Sequence, residues 1–152
     1  MRVYLPVTLA ELQRVDPVLP APRVAHAVTP ALRALWPEED DEGWEYAAQA
    51  GAADGSLVLL AGAPEAPALR VVVAADVPDA YVRALDDAPV PSAVEVVGDV
   101  DLGQVVSVHV DEPAAAPDVA AAAAGDEAAL ERLDERDLLW YDVSEIAQIP
   151  VP

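Results

Sequence analysis

Residues Leu69–Asp76 read LRVVVAAD, and this stretch decides the fold class. After Arg70 come five consecutive apolar residues, Val71 to Ala75, closed by Asp76 and the Val77-Pro78 pair. Valine is stiff at its β-carbon and favours extended backbone. A short run that is apolar at every position, not every second one, predicts a strand buried on both faces. Such a strand belongs in the middle of a sheet.

Working toward the N-terminus, residues 41–61 predict one long helix, with the carboxylates of Glu38–Glu42 at its positive end. Gly51 and Gly55 fall inside it and either weaken it, break it in two or admit a close approach to the sheet. Thr29-Pro30 is an N-cap followed by proline in the first turn, and the helix it opens stops at Pro37. Arg23–Val28 predicts a strand, and Asp16–Pro22, with its prolines, excludes helix. Thr8 and Glu11 form a capping box for a short helix with Leu9, Leu12 and Val15 as its apolar stripe. Arg2–Pro6 alternates polar and apolar residues and predicts the first strand.

Toward the C-terminus, Asp79–Leu85 predicts one or two helical turns. Ala93–Val97 and Gln104–Asp111 predict strands joined by a turn around Gly98–Gly103. In residues 112–137 Glu127, Glu131 and Glu135 repel at helical spacing, as do Arg132 and Arg136. This segment reads as a low-complexity, partly mobile helical insertion. Leu138–Tyr141 predicts a last strand, and Ser144-Glu145 opens a short terminal helix. The order β-α-β-α-β-β-β-α-β over residues 1–152 predicts a single α+β domain. Its sheet is mixed or mostly antiparallel, of about five to six strands, with helices packed on it. Trp36, Trp44, Trp140, Tyr4, Tyr46, Tyr81 and Tyr141 are the large side chains of a chain without Phe, and most are expected in the core. Trp140 and Tyr141 point to opposite faces of a strand, which leaves one of them exposed.

The chain carries 28 acidic and 8 basic residues, a net charge of -20, yet 54% of it is hydrophobic. It folds around a core and wears the acid outside. Such a surface repels nucleic-acid phosphates and anionic membranes and is compatible with a basic protein partner. The absence of Cys removes disulfides and thiolate chemistry. No apolar run approaches the length needed to span a bilayer, and the opening residues lack a signal-peptide pattern, so a cytoplasmic protein is expected. Twelve of the 28 acids fall in Glu38–Glu45 and Asp126–Asp137. Whether those two patches meet is not readable from the chain.

His109 and His26 are the candidate catalytic residues. Ser107, His109 and Asp111 alternate along one strand face in the manner of a nucleophilic triad. Residues two apart on a strand stand about 6.6 Å apart, so direct hydrogen bonding between them is not expected. His26, on a face with Val24 and Val28, reads as a hydrogen-bonded core residue. Were His26 and His109 to meet beside Asp76 or Asp111, they would form an acid–base or metal site. Glu38, Asp40, Glu42 and Gly43 match the early positions of a calcium loop, but Gln49 stands where the bidentate Glu is required. No metal or cofactor is implied, and no nucleotide-binding or hydrolase motif is present.

Several segments resemble an uncharacterised family of small acidic actinobacterial proteins, a domain of unknown function. They are MRVYLPVTL at the start, HAVTPALR (26–33), EYAA with SLVLL (45–60), RVVVAADV (70–77), SVHVDE (107–112) and LLWYDVSEI (138–146). The resemblance implies one domain over nearly the whole chain and carries no catalytic residues with it. Three functions remain in view. The first is a non-catalytic protein-binding or regulatory domain with an acidic surface. The second is a small hydrolase- or lyase-like enzyme using His109 with Asp76 or Asp111. The third makes the charge a salt or solubility adaptation only.

Overall fold

In a computed structural model that describes all 152 residues, Val71–Asp76 is strand β4, an interior strand of a seven-stranded sheet. In the chain order of the strands (β1 Arg2–Val7, β2 Val18–Leu19, β3 Arg23–His26, β4, β5 Val82–Ala84, β6 Ala93–Val96, β7 Val100–Asp101, β8 Val105–Val110, β9 Leu139–Tyr141), the sheet runs β5-β6-β3-β1-β4-β8-β9. Every pairing in it is antiparallel. β1 and β8 flank β4, and Val71 to Ala75 are buried throughout. The protein is a single α+β domain, with more strands than the five to six expected.

The additional strands are short. Val82–Ala84 was expected as helix, but only Asp79–Tyr81 makes a 3-10 turn before the chain joins the sheet edge as β5. Three residues are too few for periodicity to register, and β6 decides their conformation. β7 lies within the expected turn and pairs with β2 to form a separate two-stranded sheet.

The two faces of the main sheet carry different layers. One face bears Val3, Leu5, Val7, Val71, Val73, Val108 and Val110. It is covered by α1 (Leu9–Leu12), Leu19 of β2, Val100 of β7 and the C-terminal residues Ile146 and Ile149. Thr8 and Glu11 close the capping box of α1 as expected, but the helix ends at Leu12 and leaves Val15 exposed. The other face bears Tyr4, Val72 and Ala74 against α2 (Pro30–Leu35) and α3 (Asp41–Ala61) through Leu32, Ala48, Ala52 and Ala53.

Gly51 and Gly55 lie inside an unbroken α3 and allow close approach. A β-carbon on Gly51 would stand 2.6 Å from Nδ1 of His26, and one on Gly55 2.7 Å from Cγ of Pro6. Gly51→Ala gains helix propensity of about 1 kcal/mol. The overlap costs about 1–3 kcal/mol. The variant is therefore expected to be less stable in urea titration, and a more stable Gly51→Ala protein would contradict the close approach.

Residues 112–137 fold into α4 (Ala116–Ala123) and α5 (Glu127–Asp134). Ala115, Val119 and Leu133 are buried against Leu57 and Leu60 of α3. Asp126 caps α5 through the Ala129 amide, and Arg132 pairs with Asp118 across to α4. The like-charge stacking along α5 is thus partly offset by a partner that helical spacing does not show.

The aromatic residues are not the core. All 20 side chains of the main cluster are Val, Leu, Ala or Ile. Tyr4 alone of the seven aromatics is buried, while Trp36 is 47% and Trp140 60% exposed. The valine-rich strands fill the interior with small branched side chains, so it needs no large ones. Of the last pair, Trp140 is the exposed one and Tyr141 packs on the core. Trp140→Ser is accordingly expected to change stability by less than about 1 kcal/mol, the scale of one cross-strand pair, here with His109. Chemical denaturation measures this, and a loss of several kcal/mol would return Trp140 to the core.

Candidate functional site

The chemistry-bearing side chains gather on the α3 side of the sheet. Strand register sets His26, Tyr4, Ala74 and Ser107 in one row across β3, β1, β4 and β8. His26 and Ser107 are therefore three interstrand steps apart, about 14 Å. His109 sits beyond Ser107, opposite Val72. The two histidines share a face and do not meet.

His26 is 5% exposed beneath Gly51 of α3, with its Nδ1 2.9 Å from the Ser92 hydroxyl. Burial lowers its pKa to about 4, so the ring is neutral at pH 7. It ties β3 to the segment before β6. His109 is half-buried, and burial lowers its pKa as well. Its Nε2 lies 3.0 Å from the Ser107 hydroxyl. The 6.6 Å spacing of alternate residues did not forbid this contact, because strand side chains lean along the strand and the imidazole spans the gap.

The acids that might complete a Ser–His pair are engaged elsewhere. Asp76 sits at the end of β4 opposite Arg2 and accepts two hydrogen bonds from its guanidinium, which holds the carboxyl below its usual range. Asp111 is 2% exposed and accepts from the Arg70 amide, Nε and Nη2 at 2.8–2.9 Å. Arg70 is itself buried and donates also to the Leu133 carbonyl of α5. Ser107 is buried too. An arginine at the head of an apolar strand was the legible signal for this pair, since such a charge needs a partner.

Of the calcium-loop residues, Asp40 accepts a hydrogen bond from the Gly43 amide and caps α3. No group of three His, Asp or Glu side chains is arranged to hold a metal ion.

Two depressions flank the outward face of α3, and the residue pattern gave no sign of them. A groove of about 850 Å3 lies between α2, α3 and Val90–Ser92, bordered by Glu39, Glu42 and Asp54 with Trp36, Tyr46 and Val90. A cleft of about 390 Å3 lies on the α5 side, where Asp134 and Asp137 face Asp54. Tyr46, Ala50 and Asp54, four residues apart on one helix face, line both. The two acidic segments of the sequence therefore converge on one stretch of α3. Desolvation, and then the charge of Asp134, raise the pKa of Asp54 against the opposing charge of Arg70, which lines the same cleft with Arg136, although solvent still reaches the Asp54 side chain.

Seven of the eight arginines are already in intramolecular ion pairs. Glu39, Glu42, Asp54, Asp134 and Asp137 have none. This surface carries charge that the chain does not neutralise itself.

The model of the family of unknown function DUF6912 matches residues 1–149. The chain belongs to this family. No curated protein and no solved structure matched it. The DUF6912 chain thus comes with a fold and a surface, and its family assigns no activity to either. No helix is long and apolar enough to cross a membrane.

Proposed function

We propose that this DUF6912 protein is a non-catalytic binding domain that receives a basic segment of a partner protein, in the cytoplasm, on the outward face of α3. The observation that carries this reading is the convergence of Glu38–Glu45 and Asp134–Asp137 on the two sides of Tyr46, Ala50 and Asp54. Glu39, Glu42, Asp54, Asp134 and Asp137 form no ion pair within the chain, although Arg70 and Arg136 also line the cleft, and a guanidinium or ammonium group brought between these carboxylates relieves their mutual repulsion. The binding is expected to weaken as salt rises, because exposed charges are screened.

Affinity capture from a native lysate tests the reading. The bait is the intact protein or its Glu39→Gln, Glu42→Gln, Asp54→Asn, Asp134→Asn, Asp137→Asn variant. Basic proteins should be retained by the wild type at low salt, released toward about 0.5 M salt, and not retained by the variant. Equal retention by both baits, or none by either, would remove the proposal.

A salt adaptation accounts for the same unpaired carboxylates without a partner. It requires that stability rise steeply between dilute buffer and molar salt. Equal unfolding midpoints in the two leave the binding reading in place.

A further inference from the structure

The groove between α2, α3 and Val90–Ser92 differs from the rest of the acidic surface. Trp36, Tyr46 and Val90 are 47%, 61% and 41% exposed and all border this one depression. Scattered apolar side chains need no explanation, but large ones gathered in a groove mark an interaction site. Glu39, Glu42 and Asp54 stand around them with no ion-pair partner. No arginine lines this groove, and Arg33 of α2 pairs with Asp41 and lies over the Trp44 ring at 4.5 Å.

The groove is also built before any ligand arrives. The Thr29 hydroxyl donates to the Pro91 carbonyl, and the Ala27 amide donates to the Ser92 carbonyl at 2.9 Å. The Ser92 hydroxyl is held by His26. One wall is thereby pinned to the strand beneath α3, and the opposite wall is α3 itself. A preformed groove spares a ligand the cost of ordering its site.

Charge selects the occupant. A second copy of the chain brings another -20 and is repelled, and so are an acidic peptide and a phosphate backbone. We propose that this groove binds a short basic segment of a partner protein. One apolar side chain of that segment packs against Trp36, Tyr46 and Val90, and its Lys or Arg heads face Glu39, Glu42 and Asp54. The proposal rests on the reading of α3 as a basic-partner surface and adds a place and an anchor to it. Charge alone steers and screens, whereas a buried apolar or aromatic anchor carries most of the affinity at such sites.

Selection of a random peptide library on the intact protein, followed by fluorescence anisotropy with the selected peptides, tests it. The selected peptides should carry Lys or Arg around an aliphatic or aromatic residue. Replacing that residue with Ser, Tyr46 with Ala, or Glu39 and Glu42 together with Gln should each weaken binding about tenfold or more. Val58→Glu, at an exposed position of α3 away from the groove, should leave it unchanged. Tyr46 is itself exposed, so Tyr46→Ala is expected to fold, which its circular dichroism verifies. Basic peptides that bind Tyr46→Ala as tightly as the wild type, or tolerate loss of their apolar residue, would overturn the groove and leave the charged surface standing. Selected peptides without basic residues, or no selection at all, would overturn both.

Discussion

Asp111→Ala is expected to lose about 3–5 kcal/mol of folding stability, because it leaves the guanidinium of Arg70 buried without a counter-ion. The pair is buried, with Arg70 4% and Asp111 2% exposed, and Asp111 accepts every hydrogen bond that Arg70 donates except that to Leu133. For a domain whose net stability is typically about 5–15 kcal/mol, that is a large fraction. The Arg70→Met, Asp111→Leu double variant removes both charges together and is expected to recover most of the loss. Urea unfolding of the three proteins decides it. A loss below about 1 kcal/mol in Asp111→Ala would mean that water reaches Arg70. Arg70 also holds the Leu133 carbonyl, so amide exchange in α5 should rise in Asp111→Ala before the sheet amides respond.

The second large effect is a pH dependence centred on His26. An imidazole titrates near 6.5 in the unfolded chain and at about 4 in the fold. Between those values the unfolded chain holds more protons, so stability falls as pH falls. The contribution of His26 is full above about pH 6.5, declines through the window, and is gone below about pH 4. A shift of that size corresponds to about 3 kcal/mol across the window. His109, also lowered by burial, acts in the same direction, and Asp54, raised by burial and Asp134, acts in the opposite one. Both are shared by wild type and a His26→Leu variant, so the difference in slope between the two isolates His26. Measured in urea from pH 7 to pH 4.5, the unfolding free energy of the wild type should fall relative to that of the variant as pH drops. Parallel lines would show that the ring is not sealed under Gly51.

Local features of the sequence were read well where the chain's own neighbours decide the outcome. LRVVVAAD became an interior strand because a run apolar at every position can be satisfied only between two layers. The Thr8–Glu11 box, the Thr29-Pro30 start and the α3 span from Asp41 to Ala61 follow from caps and breakers a few residues away. Val82–Ala84 and Val100–Asp101 were missed because their strand character comes from β6 and β2, which are their neighbours only after folding. The expectation that most aromatics fill the core failed for Trp36 and Tyr46 because valines on one sheet face and alanines on the other already fill it, while the exposure of one of Trp140 and Tyr141 follows from their alternation.

The candidate site was less legible. His26 was read correctly as a hydrogen-bonded core residue, but its partner Ser92 is 66 residues away. The Ser107–His109 contact was discounted from backbone spacing, which does not limit where side-chain tips meet. Residue identity placed Asp76 and Asp111 as possible catalytic acids, and the arginines across from them give both an ion-pair role.

By itself the sequence determined the fold class, the long central helix and a charge that the chain does not balance. Those follow from composition and from periods of two to four residues. The tertiary structure alone decided that the two histidines stand apart, that Arg70 and Asp111 are a buried pair, and that both acidic segments reach the same face of α3. Each of these is a contact between segments distant in the chain. Strand register and helix packing fix such contacts, and no local pattern encodes them.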